Sequence, residues 1–236
     1  MDQAPTSRRE RLRAETANEI RAVALQQMAQ RGAGDISLRA IARQMGTTAP
    51  AIYSYYKTRD ALIAALVADV YTSLAVGQEA ARDALPVADH AGRLLAVGHA
   101  YRRWALQNPQ GFRLIYGEPI PGYTVPATEA AASAAKRTCA VLLDLVAAAW
   151  SRPSDAWLAD HQQWSDFDPG LVSLTRDTYP QLPPEAIALT LRVWGRMHGP
   201  VSLEIYGLLQ TGNPAALYEA ELLALARELG FAKNGD

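Results

Sequence analysis

The 236-residue sequence predicts an all-α protein. Apolar residues recur at spacings of three and four along several segments, which is the period of an amphipathic helix. We find no segment in which apolar and polar residues alternate as they do in a half-buried strand. Hydrophobic residues make up 49% of the chain and charged residues 20%, which is typical of a folded protein with a buried core.

The first predicted helix begins at Thr6 or Ser7 and ends near Arg31. Its apolar face is supplied by residues spread along its length: Leu12, Ile20, Val23, Leu25 and Met28. Basic residues cluster at its start: Arg8, Arg9, Arg11 and Arg13. A link containing Gly32 and Gly34 separates this helix from the next.

Residues 37–62 predict two short helices joined by a tight turn, the unit that places a helix in the DNA major groove. One apolar stripe marks the first helix: Leu38, Ile41, Ala42 and Met45. Ser37 precedes the stripe and can cap the helix, although Ala40 stands where a full capping box needs Glu or Gln. Gly46 suits the left-handed conformation that often ends a helix.

The second short helix has its own start signals, because Thr48 can cap it and Pro50 fits into its first turn. Ile52 and Tyr56 are expected to point inward. The other residues face outward or lie nearby: Ala49, Ala51, Tyr53, Ser54, Tyr55, Lys57 and Arg59. Small residues let a helix approach base edges, and hydroxyl groups and cations can hold phosphates. The alternative is a helical hairpin of an ordinary all-α protein with a solvated polar surface.

The charge is unevenly distributed along the chain. Residues 1–60 carry a formal charge of +4 and the remainder −5, although the whole chain is only −1. A basic module joined to an acidic body would attract a polyanion at one end only. A charge of +4 taken alone is also compatible with a chance fluctuation.

Several short matches in this region point to a known family: Ile41-Ala42 in the first short helix, Gly46 in the turn, Ile52-Tyr53 in the second, and Lys57-Thr58-Arg59-Asp60 before Leu62. The segment resembles the DNA-binding domain of TetR-family transcriptional regulators. Tyr56 stands where that family usually has phenylalanine. By this resemblance, the start of the first helix lies near the DNA backbone; the alternative is a solvated basic tail.

The resemblance also implies roles for individual residues, with Tyr53 and Arg59 on phosphates and the outward face of the second short helix on bases. The predicted DNA-binding residues are Ser37, Thr48, Ala49, Pro50, Ala51, Tyr53, Ser54, Tyr55, Lys57 and Arg59. One such head reads few bases, so we expect a two-fold dimer on a palindromic operator of double-stranded DNA.

The remaining chain predicts further helices divided by proline and glycine: 59–82, from Pro86 to Pro109, a short helix or turn at 109–117, 127–150, 183–209 and 213–229. The stretch 117–126 is rich in proline and glycine and is predicted to be a long loop. Residues 151–170 are predicted to form a short helix and loops. We place the DNA-binding domain at residues 1–58 and a helical effector-binding and dimerisation domain at 59–236.

The second region also carries a resemblance, because Trp194, His198 and Gly199 match the Trp-His-Gly pattern of one TetR C-terminal class. This resemblance implies a body that senses a ligand and dimerises. The candidate residues for a pocket that takes a small apolar or aromatic effector are Trp104, Tyr116, Trp150, Trp194 and His198.

We expect the dimer to form through the helices at 184–209 and 214–230, which carry more apolar residues than one buried face needs: Leu203, Leu208, Leu217, Leu222 and Leu225. Gly195 and Gly199 leave small surfaces that permit a close approach. The expected function is a repressor that its ligand releases from DNA.

Two alternatives stay open at the level of sequence. One is a helical enzyme that uses Asp166 and Asp168 as a carboxylate pair, although loop capping explains both residues more simply. The other is a DNA-binding regulator without an effector.

No metal-ligand spacing, phosphate-binding glycine loop or cofactor motif is found in the sequence, and Cys139 is interpreted as a small apolar residue. No signal peptide and no apolar run near the ~20 residues of a membrane span is recognised, so we expect a cytoplasmic protein without a membrane partner.

Overall fold

The computed structural model describes residues 7–32, 34, 36–120, 123, 128–151, 157 and 161–231. Within these ranges the chain forms ten α-helices and a short 3-10 helix at Trp164–Asp166, and no strand. The α-helices are α1 (Arg8–Arg31), α2 (Leu38–Gln44), α3 (Ala49–Tyr53), α4 (Arg59–Asp83), α5 (His90–Gln107), α6 (Pro109–Tyr116), α7 (Glu129–Ala149), α8 (Pro169–Thr178), α9 (Pro184–Ile205) and α10 (Pro214–Glu228). The predicted all-α class is confirmed.

The chain divides into two compact units. The first comprises Met1–Val70 and Gln110–Ala132, and the second comprises Tyr71–Pro109 and Ser133–Asp236. The division falls inside α4. The domain boundary predicted after residue 58 stays a prediction.

The first unit is built around one face of α1 and the first half of α4. α1 begins with a complete capping box, in which Ser7 Oγ accepts from the Glu10 N–H and Glu10 Oε2 accepts from the Ser7 N–H. The core side chains of this unit are less than a tenth exposed: Ile20, Ala24, Met28, Ile36, Ile41, Ile52, Tyr56, Leu62, Ile63, Leu66 and Val67. Leu12, predicted to lie on the apolar face of α1, is instead 53% exposed.

In the second unit, α5, α9 and α10 pack against one another. α5 and α10 approach closely at Gly98, where an added Cβ would lie 2.5 Å from Leu222 Cδ2. The Tyr218 hydroxyl donates to the Gly98 carbonyl oxygen at 3.2 Å. α4 and α7 are also joined, because Arg137 donates two hydrogen bonds to the Glu79 carboxylate, at 2.9 and 2.5 Å.

Two predicted helix boundaries are wrong, and one helix was not predicted. The helix expected to open at Pro86 begins at His90, because the Asp89 side chain accepts from the Gly92 N–H and caps it there. The helix expected to reach Leu209 ends at Ile205, and Gly207 then adopts a φ of 69°. The helix that was not predicted is α8.

Half of the predicted loop at 117–126, and much of 151–160, lie outside the described residues.

By length and composition α4 is apolar enough to cross a membrane, because an 18-residue window of it has a mean hydropathy of 1.5, so the expectation that no apolar run approaches this length is wrong. Five of its large apolar side chains nevertheless pack inside the protein. Leu62, Ile63, Leu66, Val67 and Leu74 are at most 1% exposed. This burial is that of a core helix.

We predict that Gly98→Ala lowers the free energy of unfolding by about 1–3 kcal/mol, because the added methyl group overlaps the fully buried Leu222 side chain. Urea unfolding measures the change. The control is Gly77→Ala in α4, where an added Cβ meets nothing within 4 Å and helix propensity alone predicts a gain of about 0.5–1 kcal/mol. Equal stability of Gly98→Ala and the wild type would contradict this packing.

Candidate nucleic-acid interface

The turn between α2 and α3 is fixed by the predicted caps. Ser37 Oγ accepts from the Ala40 N–H and Thr48 Oγ1 from the Ala51 N–H, each at 3.4 Å. Gly46 has a φ of 64°, the left-handed conformation that glycine adopts without strain. The caps and the turn expected from the sequence are confirmed.

α3 is only five residues long and ends before the second of its two inward residues. Ile52 is 1% exposed, and Tyr56, which follows the helix, is 9% exposed. Both point inward as predicted. The chain between them turns at Ser54, whose N–H donates to the Pro50 and Ala51 carbonyl oxygens.

The ten residues predicted to bind DNA are all exposed or half-buried. Eight of them lie on α3 or directly beside it, whereas Ser37 precedes α2 and Arg59 begins α4. Several of their side chains also have local structural roles. The Ser37 and Thr48 hydroxyls cap helices, and Ser54 Oγ donates to the Ala51 carbonyl oxygen at 2.7 Å. Tyr53 and Lys57 are exposed.

Arg59 is anchored to the backbone of the same unit. Its Nη2 donates to the Gly34 carbonyl oxygen at 3.0 Å, and its Nη1 lies 3.5 Å from Asp60 Oδ1. A guanidinium group has five N–H donors, so one arginine can hold several acceptors at once. Any substitution of Arg59 would also release the segment before α2.

Two arginines of α1 contact the segment that follows α3, and sequence reasoning did not find these contacts. Arg13 Nη2 donates to the Ser54 carbonyl oxygen at 3.2 Å, and its guanidinium carbon lies 4.9 Å from the centroid of the Tyr55 ring. Arg21 Nη1 donates to the Tyr56 hydroxyl at 2.8 Å. The sequence feature that could have indicated these contacts is the spacing of Arg13 and Arg21, because residues eight positions apart lie on one side of a helix.

Arg21 joins three parts of the first unit. Besides Tyr56 it contacts Asp69 of α4, with 2.5 Å between Arg21 Nε and Asp69 Oδ2. Burial raises the pKa of the Asp69 carboxyl, and the charge of Arg21 acts against that rise. The Tyr56 hydroxyl, which a phenylalanine would lack, is therefore the acceptor that attaches Arg21 to the segment after α3.

An open groove of about 490 Å³ lies beside these contacts on the surface of the first unit. Its lining comprises three arginines and three other side chains: Arg8, Arg9, Leu12, Arg13, Thr16 and Tyr55. The predicted basic cluster at the start of α1 thus adjoins a residue predicted to face bases.

In the second unit, three of the five candidate effector residues meet in one aromatic cluster. The ring centroids of Trp194 and His198 lie 5.0 Å apart, those of His198 and Tyr101 6.2 Å, and those of Tyr101 and Trp104 6.5 Å. The Tyr101 hydroxyl lies 2.6 Å from His198 Nδ1. Burial lowers the pKa of His198, which favours the neutral imidazole.

The other two candidates lie elsewhere. Trp150 stacks on the buried Trp157 at 5.7 Å, and Tyr116, which belongs to the first unit, packs edge-on against Phe112 at 5.3 Å. Their assignment to an effector pocket stays a prediction.

The carboxylates of Asp166 and Asp168 act as caps. Asp168 Oδ1 accepts from the N–H groups of Gly170 and Leu171 at the start of α8, and Asp166 Oδ2 accepts from the Gln163 N–H at 2.7 Å. No group of three potential metal-ligating side chains occurs among the described residues.

The two capped helices and the glycine turn define a helix-turn-helix DNA-binding domain. Comparison with known proteins supports the assignment of a helix-turn-helix domain. The family described as "Bacterial regulatory proteins, tetR family" matches residues 20–66, and "Tetracyclin repressor-like, C-terminal domain" matches residues 94–225, more than half of the chain. The chain therefore belongs to the TetR family of transcriptional regulators, a family of DNA-binding transcription factors and not of enzymes.

Individual relatives fit this assignment. The HTH-type transcriptional regulators Rv1816 of Mycobacterium tuberculosis (strain ATCC 25618 / H37Rv) and Mb1846 of Mycobacterium bovis (strain ATCC BAA-935 / AF2122/97) are each 29% identical over 206 residues, which is 86% of this chain and 87% of the relative. The crystal structure of the regulatory protein SCO4313 has a TM-score of 0.71 and 36% identity over 93% of this chain and 98% of its own. A tetR-family regulatory protein from Rhodococcus RHA1 shares the fold, with a TM-score of 0.59 and 18% identity over 97% of this chain and 100% of its own.

We predict that Tyr56→Phe lowers the free energy of unfolding by about 1 kcal/mol, because Arg21 loses one hydrogen-bond acceptor while the buried ring is kept. Chemical denaturation of the full chain checks this value. Tyr53→Phe, which removes an exposed hydroxyl, is the matched control and should leave the stability unchanged. If the two variants were equally stable, the hydroxyl contact would have no structural role.

Proposed function

We propose that this protein is a repressor that binds a palindromic operator as a homodimer and is released by a small apolar or aromatic ligand. The observation that carries the proposal is the exposed face of α3 and its flanking residues in a TetR-family helix-turn-helix. The cytoplasm, where the DNA is accessible, is the proposed site of action.

Base contacts are proposed for the outward residues of α3 and its exit: Ala49, Pro50, Ala51, Ser54 and Tyr55. The small side chains at the start of α3 allow its backbone to approach base edges, whereas Tyr55 is the one large side chain of this set. Tyr53, Lys57 and Arg59 are proposed to hold phosphates, and the caps at Ser37 and Thr48 present helix N-termini to the same backbone.

We predict that Lys57→Ala weakens binding to specific and unrelated duplexes alike, and lowers the slope of log affinity against log salt by about one, because one phosphate contact is lost. Fluorescence anisotropy across a salt series measures both quantities. Lys136→Ala, which removes an exposed cation from α7 in the second unit, is the control and should change neither. An unchanged slope for Lys57→Ala would remove Lys57 from the interface.

The proposed dimer uses the outer faces of α9 and α10. Large apolar side chains are exposed on these helices and just after α9: Leu191, Trp194, Leu203, Tyr206, Leu208, Leu217 and Leu223. Two residues that we had counted toward this surface, Leu222 and Leu225, are instead 0% and 2% exposed in the protomer core. Exposed apolar area of this kind favours association.

We predict that Gly199→Leu converts the dimer to a monomer without unfolding the protomer. An added Cβ at Gly199 meets no atom within 4 Å in the protomer, so that a side chain there starts in open space and would obstruct a second chain that approaches this face. Sedimentation velocity at micromolar concentration distinguishes the two states. Gly77→Leu, at another helical glycine with open space, is the control and should stay dimeric. A monomeric wild type would refute the proposed assembly.

The ligand proposal rests on the aromatic cluster around His198 and on a buried polar atom of α4. Gln78 is 3% exposed, and no hydrogen-bond donor among the described residues reaches its Oε1. A buried acceptor without a donor is unfavourable, and a ligand with an O–H or N–H group would satisfy it. We therefore propose an apolar or aromatic ligand that carries one such donor.

We predict that Gln78→Met raises the free energy of unfolding by about 1 kcal/mol, because an unpaired buried oxygen is removed at nearly constant volume. The same variant should weaken the binding of donor-bearing compounds found in a thermal-shift screen. The control is Gln27→Met, because Gln27 is also buried but donates to Gln44 Oε1 at 3.2 Å, and this variant should be less stable than the wild type.

A ligand that releases DNA must bind the free protein more tightly than the DNA complex. At one hundred times its dissociation constant it adds about 2.7 kcal/mol of stability to the free protein. If every tight binder left operator affinity unchanged in a competition assay, the release mechanism would be wrong.

A further inference from the structure

Arg13 is placed to orient the end of the recognition helix. Its guanidinium group binds the carbonyl oxygen of Ser54, the residue that ends α3, and covers the ring of Tyr55. A cation is favoured at the C-terminal carbonyls of a helix and over the face of an aromatic ring. One side chain of α1 thus fixes both the backbone and the side chain at the exit of α3.

Two grooves of the first unit border Tyr55, and Arg13 lines both of them. The first is also lined by Arg8, Arg9, Leu12 and Thr16. The second, of about 340 Å³, is lined by six side chains: Glu10, Arg13, Ala14, Ala17, Tyr55 and Tyr56. Glu10 takes part in the capping box with Ser7, and the bond from the Ser7 N–H lowers the pKa of its carboxyl. Arg13 is the α1 side chain whose guanidinium carbon lies over the Tyr55 ring, 4.9 Å from its centroid.

Arg13 lies outside the residues that the family model of the DNA-binding domain matches. The family match begins at residue 20, whereas α1 begins at Arg8. The contact is thus supplied by the portion of α1 that precedes the matched region.

We propose that Arg13 is a positioning residue for sequence readout: it acts through Ser54 and Tyr55 on which bases are preferred. The proposal rests on the proposed DNA-binding function of α3. A positioning contact and a phosphate contact have different consequences when they are lost. Loss of a phosphate contact weakens binding to all sequences and lowers the slope of log affinity against log salt. Loss of a positioning contact instead reduces the discrimination between sequences.

The test begins with binding-site selection from random duplexes by the full-length wild type and by Tyr55→Ala. The positions whose preference changes in Tyr55→Ala are those that Tyr55 reads. Discrimination is then the ratio of affinities for the selected duplex and for duplexes substituted at those positions. We expect Arg13→Ala to lower this ratio about tenfold while the salt slope is unchanged.

Two further comparisons separate this role from charge and from general destabilisation. Arg11→Ala removes the same charge from the same helix and should keep the wild-type discrimination. Arg13→Lys retains the charge but lacks the planar fork, so that it should restore only part of the discrimination that Arg13→Ala loses. In the Tyr55→Ala background, Arg13→Ala should cause no additional loss, because the two residues act as one unit.

Several results would overturn the proposal. Arg13→Ala with full discrimination and a slope lowered by about one would make Arg13 a phosphate contact. Equal losses in Arg11→Ala and Arg13→Ala would assign the effect to charge. Independent, additive losses in the double variant would show that Arg13 does not act through Tyr55. A wild type that selects no sequence would instead refute the proposed DNA-binding function, and the inference with it.

Discussion

A recognition helix of five residues has no stability of its own, and the burial of two side chains gives it a defined position. Ile52 and Tyr56 enclose the exit of α3 and are almost completely buried within the first unit. The outward residues of α3 can be small, because the inward residues and the caps hold the helix. Because the inward residues hold α3 in place, its outer face is available for close contact with DNA.

The arginines of α1 extend this anchoring beyond the hydrophobic core. Arg21 connects the Tyr56 hydroxyl with Asp69 of α4, and Arg13 binds Ser54, two residues closer to α3. These contacts attach the N-terminal helix to the exit of α3, beside the proposed DNA-binding residues. The tyrosine at residue 56, where the family usually has phenylalanine, has a physical explanation in the bond with Arg21.

Local features were predictable from the sequence, and contacts between helices were not. The caps at Ser37 and Thr48 and the turn at Gly46 depend on residues at most three positions apart, so their signals are visible in a short segment. The contact of Arg13 with Tyr55 joins residues about forty positions apart and depends on how α1 packs. For the same reason the sequence could not tell that Leu222 packs against Gly98 inside the protomer, while Leu203 and Leu217 stay exposed. The start of α5 was missed because Pro86 suggested a helix start that the Asp89 cap overrides.

Two helix-turn-helix heads of one dimer are proposed to read one duplex. The most direct measurement selects a binding site from random duplexes with the full-length protein and determines the composition of the complex by sedimentation. We expect a selected sequence with two-fold symmetry and two chains on each duplex, with half-sites about one helical turn apart or a multiple of it. Enrichment of no sequence, or of an asymmetric site bound by a single chain, would contradict it.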